Sequence, residues 1–218
     1  MHRLMFVTML FAAHGTAHGA GDPPRTAAPS EYTVVPARSH LVGRLFRAGI
    51  GARLAHDHVI EARKLTGSIH LDPAHPERTR ISITVDTRSL LPDGAKIRRL
   101  YRMAPLSSDD MAKILRNMQA ADQLFVGRFP AIRFRSTQVK PLGQDRFQVQ
   151  GTLELRGVKR KVTLQVQAHL AHGTLKGKGQ LRFKQSAFGY SPYSAALGML
   201  KVRDQALVDI YLEARPTK

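Results

Sequence analysis

The chain has 218 residues, of which 43% are hydrophobic and none is cysteine. This length fits one domain, the hydrophobic content excludes a disordered chain, and the lack of cysteine excludes disulfides and thiolate metal sites. The net charge of +18 favours an anionic lipid surface or a phosphorylated ligand, whereas no nucleic-acid partner is predicted because no zinc-finger or RNA-binding signature is present.

The first 19 residues have the order of a secretory signal peptide. Arg3 gives a basic start, an apolar run follows over 4–13, and the small residues Ala17 and Gly19 precede the expected cleavage. The apolar run, roughly ten residues, is too short to span a bilayer. We predict a signal peptide over 1–19, a Pro/Ala-rich linker over 20–30, and a periplasmic or secreted domain over 31–215.

Apolar and polar residues alternate with a period of two through most of the remaining chain. This alternation is typical of half-buried antiparallel strands. It is clearest in ISITVDT (81–87), AIRFRST (131–137), FQVQGTLEL (147–155), VTLQVQAHL (162–170), LKGKGQLRF (175–183) and ALVDIYLEA (206–214).

One segment, near 107–120, has helical spacing instead. A serine at its start can cap the helix, two acidic residues follow in the first turn, and apolar residues recur every three to four positions. The apolar positions are Met111, Ile114, Leu115 and Met118. We predict an amphipathic helix whose methionine-rich side belongs to the core or forms a lid.

Eight or nine strands with one helical insertion favour an all-β fold, an antiparallel barrel of about eight strands. Such a barrel has room for side chains or for one ligand. Gly177 and Gly179 fall on the inward side of their strand, where they mark either a bend or a wall thinned for a ligand.

The segment AHDHVIEA, 55–62, contains a His-Asp-His sequence. On a strand, His56 and His58 would project from one face and Asp57 from the other. Three interpretations stay open: a structural pair bonded to backbone or to Asp204, a contact to a ligand head group, or a metal site. Zinc or copper needs three or four ligands, so a metal site would need additional residues. Those available are His70, His169, His172 and Asp57.

Five segments in the same order resemble the YceI-like family. They are GSIHLDP with RISITVDTRSL (67–90), ADQLFVGRFPAIRFRSTQV (121–139), VQGTLELRGVKRKVTLQVQ (149–167), FKQSAFGY (183–190) and VRDQALVDIYLEA (202–214). In FKQSAFGY, Lys184 and Gln185 depart from the usual family residues. The His-Asp-His segment together with SPYSAALGMLKVRDQ (191–205) resembles a subgroup of that family, and we expect these two segments to meet at one end of the barrel.

The resemblance implies a lipocalin-like barrel, exported in many bacteria, that carries polyisoprenoids or other long apolar lipids. The residues expected to contact such a ligand are Phe134, Phe147, Phe183, Phe188, Tyr190, Tyr193, His56 and His58. The phenylalanines are equally compatible with a filled core. No catalytic residue, cofactor or metal is predicted.

The leading functional hypothesis is therefore an exported lipid-binding protein that carries or sequesters a polyisoprenoid or quinone-like molecule. Two alternatives remain. One is a metal-binding protein or metal-dependent enzyme centred on His56 and His58. The other is a peripheral binder of anionic membrane surfaces that uses the excess of basic residues.

Overall fold

The computed structural model of the protein describes residues 30–217, so the predicted signal peptide and nearly all of the predicted linker lie outside the described residues. Most of the described chain is β-strand. The strands are β1 (Ser30–Val34), β2 (His40–Ala48), β3 (His58–Ala62), β4 (Leu65–Leu71), β5 (Arg80–Asp86), β6 (Leu90–Pro92), β7 (Ala131–Gly143), β8 (Arg146–Leu155), β9 (Val158–Ala171), β10 (Thr174–Lys184), β11 (Ser194–Ala195) and β12 (Leu200–Pro216).

These strands close into a barrel with eight sides. Five sides are single long strands, β7, β8, β9, β10 and β12, which pair antiparallel in that order. Each of the other three sides consists of two short consecutive strands: β1 with β2, β3 with β4, and β5 with β6. Both β1 and β2 pair with β12, and β5 pairs with β7, which closes the ring. The prediction of an antiparallel barrel of about eight strands is confirmed.

Two helices lie between β6 and β7: α1 (Ala95–Leu100) and α2 (Ser108–Gln119). The predicted helix near 107–120 is α2, and its cap is Ser107, whose side-chain oxygen accepts a hydrogen bond from the Asp110 backbone N–H at 3.1 Å. The sequence prediction did not include α1, because six residues are too few to display a helical repeat. Neither helix has the length or the apolarity to cross a membrane.

Helix α1 packs on the outer surface of the barrel, over β2 and β3. Ile97 of the helix forms a buried cluster with Val42 of β2 and Val59 of β3. Because side chains alternate along a strand, the outward position of Val59 turns its neighbours His58 and Ile60 toward the barrel interior. Both of these residues line the interior cavity.

Candidate ligand-binding cavity

The barrel is hollow, with an interior cavity of about 570 Å³. This volume lies within the roughly 300–1,000 Å³ of ordinary ligand pockets. Aliphatic and aromatic side chains from the strands form most of the wall. The polar side chains at the wall are His58, Asp72, Thr79, Asn117, Gln123, Asp145, Gln185, Tyr190 and Tyr193.

Three of the four predicted phenylalanines, Phe134, Phe147 and Phe183, line the cavity and are only half-buried because their rings face open space. Phe188, in contrast, is 1% exposed and is not a wall residue. Its ring packs edge-to-face against Phe183, with 5.3 Å between the ring centroids. Phe188 therefore supports the wall from behind, which differs from the ligand contact predicted from the sequence.

Two glycines shape the wall in opposite ways. A β-carbon at Gly151 would lie 2.5 Å from the Phe134 ring, so glycine is needed there for the ring to lie against β8. A β-carbon at Gly177 would meet only Val166, at 3.7 Å. Strand β10 continues past Gly177 without a register shift, and this residue lines the cavity. For Gly177 a thinned wall fits the structure better than a bend, whereas Gly179 is not among the wall residues.

Both predicted tyrosines line the cavity, in different surroundings. Tyr190 is 9% exposed, and the Arg156 guanidinium lies 5.7 Å from its ring centroid. Burial raises the pKa of the Tyr190 phenol far above its usual range, so the hydroxyl stays protonated. Tyr193 is 37% exposed and is therefore a rim residue.

The two histidines of the His-Asp-His segment do not share a face, so the prediction that they project together is wrong. Strand β3 begins at His58, and the strand alternation on which the prediction rested does not extend back to His56 and Asp57. His56 is exposed and is not among the cavity residues. Asp57 accepts a hydrogen bond from the Arg47 backbone N–H at 2.8 Å.

His58 is part of a buried polar network. Its Nδ1 lies 2.6 Å from Oδ2 of Asp93, a residue with no solvent exposure. The other carboxylate oxygen, Oδ1, accepts hydrogen bonds from Nη1 of Arg98 at 2.6 Å and from the Val59 backbone N–H at 3.2 Å. Arg98 also donates to the carbonyls of Asp57 and Ala104, so the network fixes α1 to the start of β3.

The network determines which nitrogen of His58 is free. Burial alone would raise the pKa of Asp93, but the hydrogen bonds from His58 and Arg98 and the charge of the imidazole outweigh burial and lower it. Asp93 is therefore a carboxylate, and His58 donates to it through Nδ1. No described residue forms a hydrogen bond with Nε2 of His58, which leaves this nitrogen for a group in the cavity.

Sequence reasoning missed Asp93 and suggested Asp204 as a partner of the histidines. Asp204 instead accepts hydrogen bonds from the backbone and side chain of Ser186. Asp93 lies between Pro92 and Gly94, and a Pro-Asp-Gly sequence ordinarily indicates a surface turn. Its φ of 55° fits a turn, yet the residue is completely buried. No feature of the local sequence distinguishes this turn from an exposed one.

Within residues 30–217, no group of three or more histidine or carboxylate side chains is placed to hold a metal ion. The three other histidines proposed as ligands lie elsewhere. His70 contacts Glu31 at 2.8 Å, His169 contacts Asp145 at 3.1 Å, and His172 lines a surface depression together with His169. The geometry at His58 therefore offers one imidazole nitrogen to the cavity and no preformed metal site in the described part of the chain.

One end of the cavity is covered by α2 and the loop before β11. Ile114, Asn117 and Met118 of α2 line the cavity, and Gln123 donates a hydrogen bond to the Ser191 carbonyl at 3.2 Å. The segment 191–205 and the His-Asp-His segment lie at this same end, on the two sides of β2. Both segments therefore lie at one end of the barrel, as expected, but with β2 between them: Asp57 and Arg203 each bond to the backbone of Arg47 on that strand.

A YceI-like domain model matches residues 32–214, nearly all of the described chain. The chain belongs to the YceI-like family. Two relatives named UPF0312 protein are each 29% identical to it. The match to the Azotobacter vinelandii protein covers 102 residues, 47% of this chain and 44% of that protein, and the match to the Enterobacter sp. protein covers 99 residues, 45% and 42%. The alignments thus span less than half the length of either relative.

Solved structures share the fold of this YceI-like protein. The crystal structure of Burkholderia cenocepacia BcnA has a TM-score of 0.63 at 18% identity and covers 83% of this chain and 98% of its own. The Campylobacter jejuni YCEI protein has a TM-score of 0.56 at 14% identity, covering 73% and 85%. The family match includes both helices and all three members of the His58 network.

Proposed function

We propose that this YceI-like protein binds one long apolar lipid, a polyisoprenoid or a quinone with an isoprenoid tail, inside its barrel. It carries or sequesters the lipid without altering it. The observation that carries the proposal is the hollow apolar interior, where three phenylalanines retain exposed surface facing a cavity of about 570 Å³. Apolar surface facing empty space or water is costly, and an apolar ligand removes that cost.

The available energy is sufficient for tight binding. Three isoprene units contain roughly fifteen carbons, and burial of each methylene-sized group contributes about 0.8 kcal/mol, or on the order of 12 kcal/mol in total. Association and ordering of the tail offset a substantial part of this gain. The remainder still supports retention of a lipid through purification.

We further propose that His58 contacts the polar head of the lipid. Its free Nε2 is a hydrogen-bonding atom on a wall that is otherwise mostly apolar. The neutral imidazole, with Nδ1 donating to Asp93, accepts a hydrogen bond from a prenol hydroxyl at Nε2, and the imidazolium donates to a quinone carbonyl. A few polar groups on an apolar wall orient a ligand, and His58 is held rigidly enough to do so.

Binding rather than catalysis is the function that these groups favour. The YceI-like family is a family of binding proteins. Asp93 is saturated by three donors and Tyr190 stays protonated, so neither is poised to exchange protons with a ligand. Export to the periplasm or beyond also stays a proposal, which rests on the signal-like residues 1–19.

Native mass spectrometry of protein purified without detergent tests the proposal. We expect a one-to-one adduct after exposure to a polyprenol or an isoprenoid quinone, and retention of the adduct in high salt because the contacts are apolar. A ten-carbon terpene alcohol is the control, because five fewer buried carbons remove about 4 kcal/mol of the binding free energy on the same scale. Protein that remains empty with every long lipid contradicts the proposal.

The role of His58 has its own test with a matched control. His58→Asn, whose amide can still donate to Asp93 but has no atom at the position of Nε2, should weaken binding of a polyprenol about threefold to tenfold relative to the corresponding tail hydrocarbon, since one hydrogen bond is worth about 0.5–1.5 kcal/mol. His56→Asn, two residues earlier but exposed, should leave both affinities unchanged. Equal effects of His58→Asn on the alcohol and the hydrocarbon would mean that His58 does not contact the head group.

A further inference from the structure

Two loops at one end of the barrel expose apolar side chains side by side. One loop follows β2 and contains Ile50, which is 99% exposed. The other precedes β12 and contains Leu197 and Met199, which are 107% and 54% exposed. A backbone hydrogen bond from Gly51 N–H to the Met199 carbonyl, 3.0 Å long, holds the loops together. The exposed side chains therefore form one patch, defined here as the apolar tip.

The backbone conformation of the second loop is strained. Leu197 has a φ of 52° and the preceding Ala196 a φ of 50°, in the left-handed region that favours glycine. This conformation is unfavourable for a residue with a β-carbon. Packing of the Leu197 side chain does not offset the strain, because the side chain is fully exposed. Strain at an exposed leucine, with no gain for the core, points to a role in contact with another surface.

Basic side chains surround the apolar tip. Lys201 lies over the second loop, with its ammonium 3.6 Å from the position of a β-carbon on Gly198. Arg53 follows the first loop, and Arg203 reaches across to the Arg47 carbonyl. Asp57 pairs with Arg47 at 3.9 Å, but within residues 30–217 no carboxylate forms an ion pair with Arg53, Lys201 or Arg203. These three side chains are the basic collar.

The apolar tip lies at an end of the cavity. Strand β11, which starts one residue after Tyr193, pairs with the beginning of β12, and the Tyr193 carbonyl accepts a hydrogen bond from Val202 N–H. Both Tyr193 and Val202 line the cavity, and Tyr193 is also partly exposed. A surface that covered the apolar tip would therefore lie against the rim of the cavity.

We propose that the apolar tip and the basic collar dock this protein on the surface of an anionic lipid bilayer, with the Tyr193 rim facing the lipids. Exposed aliphatic side chains insert at the boundary of head groups and acyl chains, and the unpaired cations contact anionic head groups. The combination of apolar tip and unpaired positive charge fits an anionic bilayer better than a neutral one. This proposal concerns where the protein docks, and it does not depend on which molecule the cavity holds.

Vesicle flotation tests the proposal. We expect the protein to float with phosphatidylcholine vesicles that contain about 30% phosphatidylglycerol, and to bind pure phosphatidylcholine at least about tenfold more weakly. Removal of two charges by Arg53→Gln with Lys201→Gln should lower the partition coefficient about 25-fold, at about fivefold per basic residue. The matched control, Lys140→Gln with Lys176→Gln on β7 and β10, should lower it much less.

The apolar contribution is tested by Ile50→Ser with Leu197→Gly. Glycine adopts the positive φ of residue 197 without strain, so this variant should fold at least as stably as the original protein. Its partition coefficient into the anionic vesicles should nevertheless be about tenfold lower. Leu142→Ser is the control. It removes an exposed leucine near the end of β7, away from the apolar tip, and should leave partitioning unchanged.

Three outcomes would overturn the proposal: equal binding to neutral and anionic vesicles, equal losses in the tip variant and its control, or concentration-dependent self-association that the tip variant abolishes. The last outcome would assign the apolar tip to a second copy of the chain. Uptake of lipid from detergent solution, measured on the tip variant, separates docking from binding. That uptake should equal the uptake of the unchanged protein.

Discussion

The two halves of the barrel wall differ in construction. One half consists of the uninterrupted strands β7–β10 with β12, and it supplies the phenylalanines of the cavity wall. The other half is built from β1–β6, whose three sides are each broken in the middle. The broken half supplies His58, and the connection after β6 supplies Asp93 and Arg98. The long strands thus provide the phenylalanines of the wall, whereas the broken half provides aliphatic wall residues together with the buried His58–Asp93–Arg98 network.

This difference has a physical cause. An unbroken ladder satisfies its backbone groups itself and leaves side chains to alternate between core and solvent. At a break, backbone N–H and C=O groups lose their partners in the ladder, and polar side chains then form hydrogen bonds with them. Asp93 illustrates the principle, because its carboxylate accepts the Val59 N–H while its own N–H donates to the Val59 carbonyl at 2.7 Å.

The largest expected effect is a loss of stability when the buried charges of the broken half are disrupted. Asp93→Ala leaves Arg98 buried without its carboxylate, and we expect a loss of about 3–5 kcal/mol in the free energy of unfolding. The control is Glu154→Ala, which removes a partly exposed pair with Arg133 on β7 and β8 and should cost less than about 1 kcal/mol. Urea unfolding measures both. Similar costs for the two variants would show that the broken half does not depend on its buried charges.

A second comparison separates supporting from lining phenylalanines in the uninterrupted half. Phe188→Ala opens a void in a closed region and should cost about 3–5 kcal/mol of stability. Phe147→Ala enlarges an existing cavity and should cost less, because its ring already faces open space. Lipid binding should respond in the opposite order, with Phe147→Ala weakening the affinity more than Phe188→Ala does. The reverse ranking in either measurement contradicts the assignment.

The uninterrupted half was largely predictable from the sequence, and the broken half was not. The alternation in FQVQGTLEL and VTLQVQAHL gave the inward sides of β8 and β9 correctly, because a two-residue period persists through each strand. The same alternation places Phe134, Phe147 and Phe183 on the inward sides of their strands, and all three line the cavity. The pattern alone could not tell a filled barrel from a hollow one.

The polar network depends on contacts across long sequence distances. His58 and Asp93 are 35 residues apart and meet only because β3 pairs with β6. Strand β3 has five residues and β6 has three, too few to establish a period. The prediction that His56 shares a face with His58 is wrong for the same reason, since the first residue of a short strand cannot be identified from its sequence.

A third prediction concerns the thinned wall at Gly177. Gly177→Leu projects a side chain into the cavity and should weaken binding of a long lipid about tenfold, the equivalent of about two methylene groups. Stability should not fall, since glycine weakens a strand. Gly127→Leu, at an exposed position away from the cavity, is the control for the same substitution. Unchanged affinity in Gly177→Leu would mean that the lipid does not pass this part of the wall.

The smallest expected effect is on the acid dependence of stability. The pKa of Asp93 is lowered in the folded protein, so its stabilising contribution is complete above the ordinary aspartate value of 3.8 and is lost as the pH falls through the folded pKa. Asp93→Asn should flatten the decline of unfolding free energy below pH 3.8. The pKa of Asp204 is also lowered, by hydrogen bonds from Ser186. Because Asp204 lies nearer the surface, Asp204→Asn should flatten the decline less.

The central claim, that the barrel interior holds the lipid tail, is tested most directly by photo-crosslinking. A polyprenol with a diazirine in its tail is equilibrated with the protein, irradiated, and located by peptide mass spectrometry. We predict labels on peptides of β7–β10 that contain Phe134, Phe147 and Phe183, suppressed by excess unlabelled polyprenol. Labels confined to the outer surface, or labelling that the competitor does not reduce, would contradict the account.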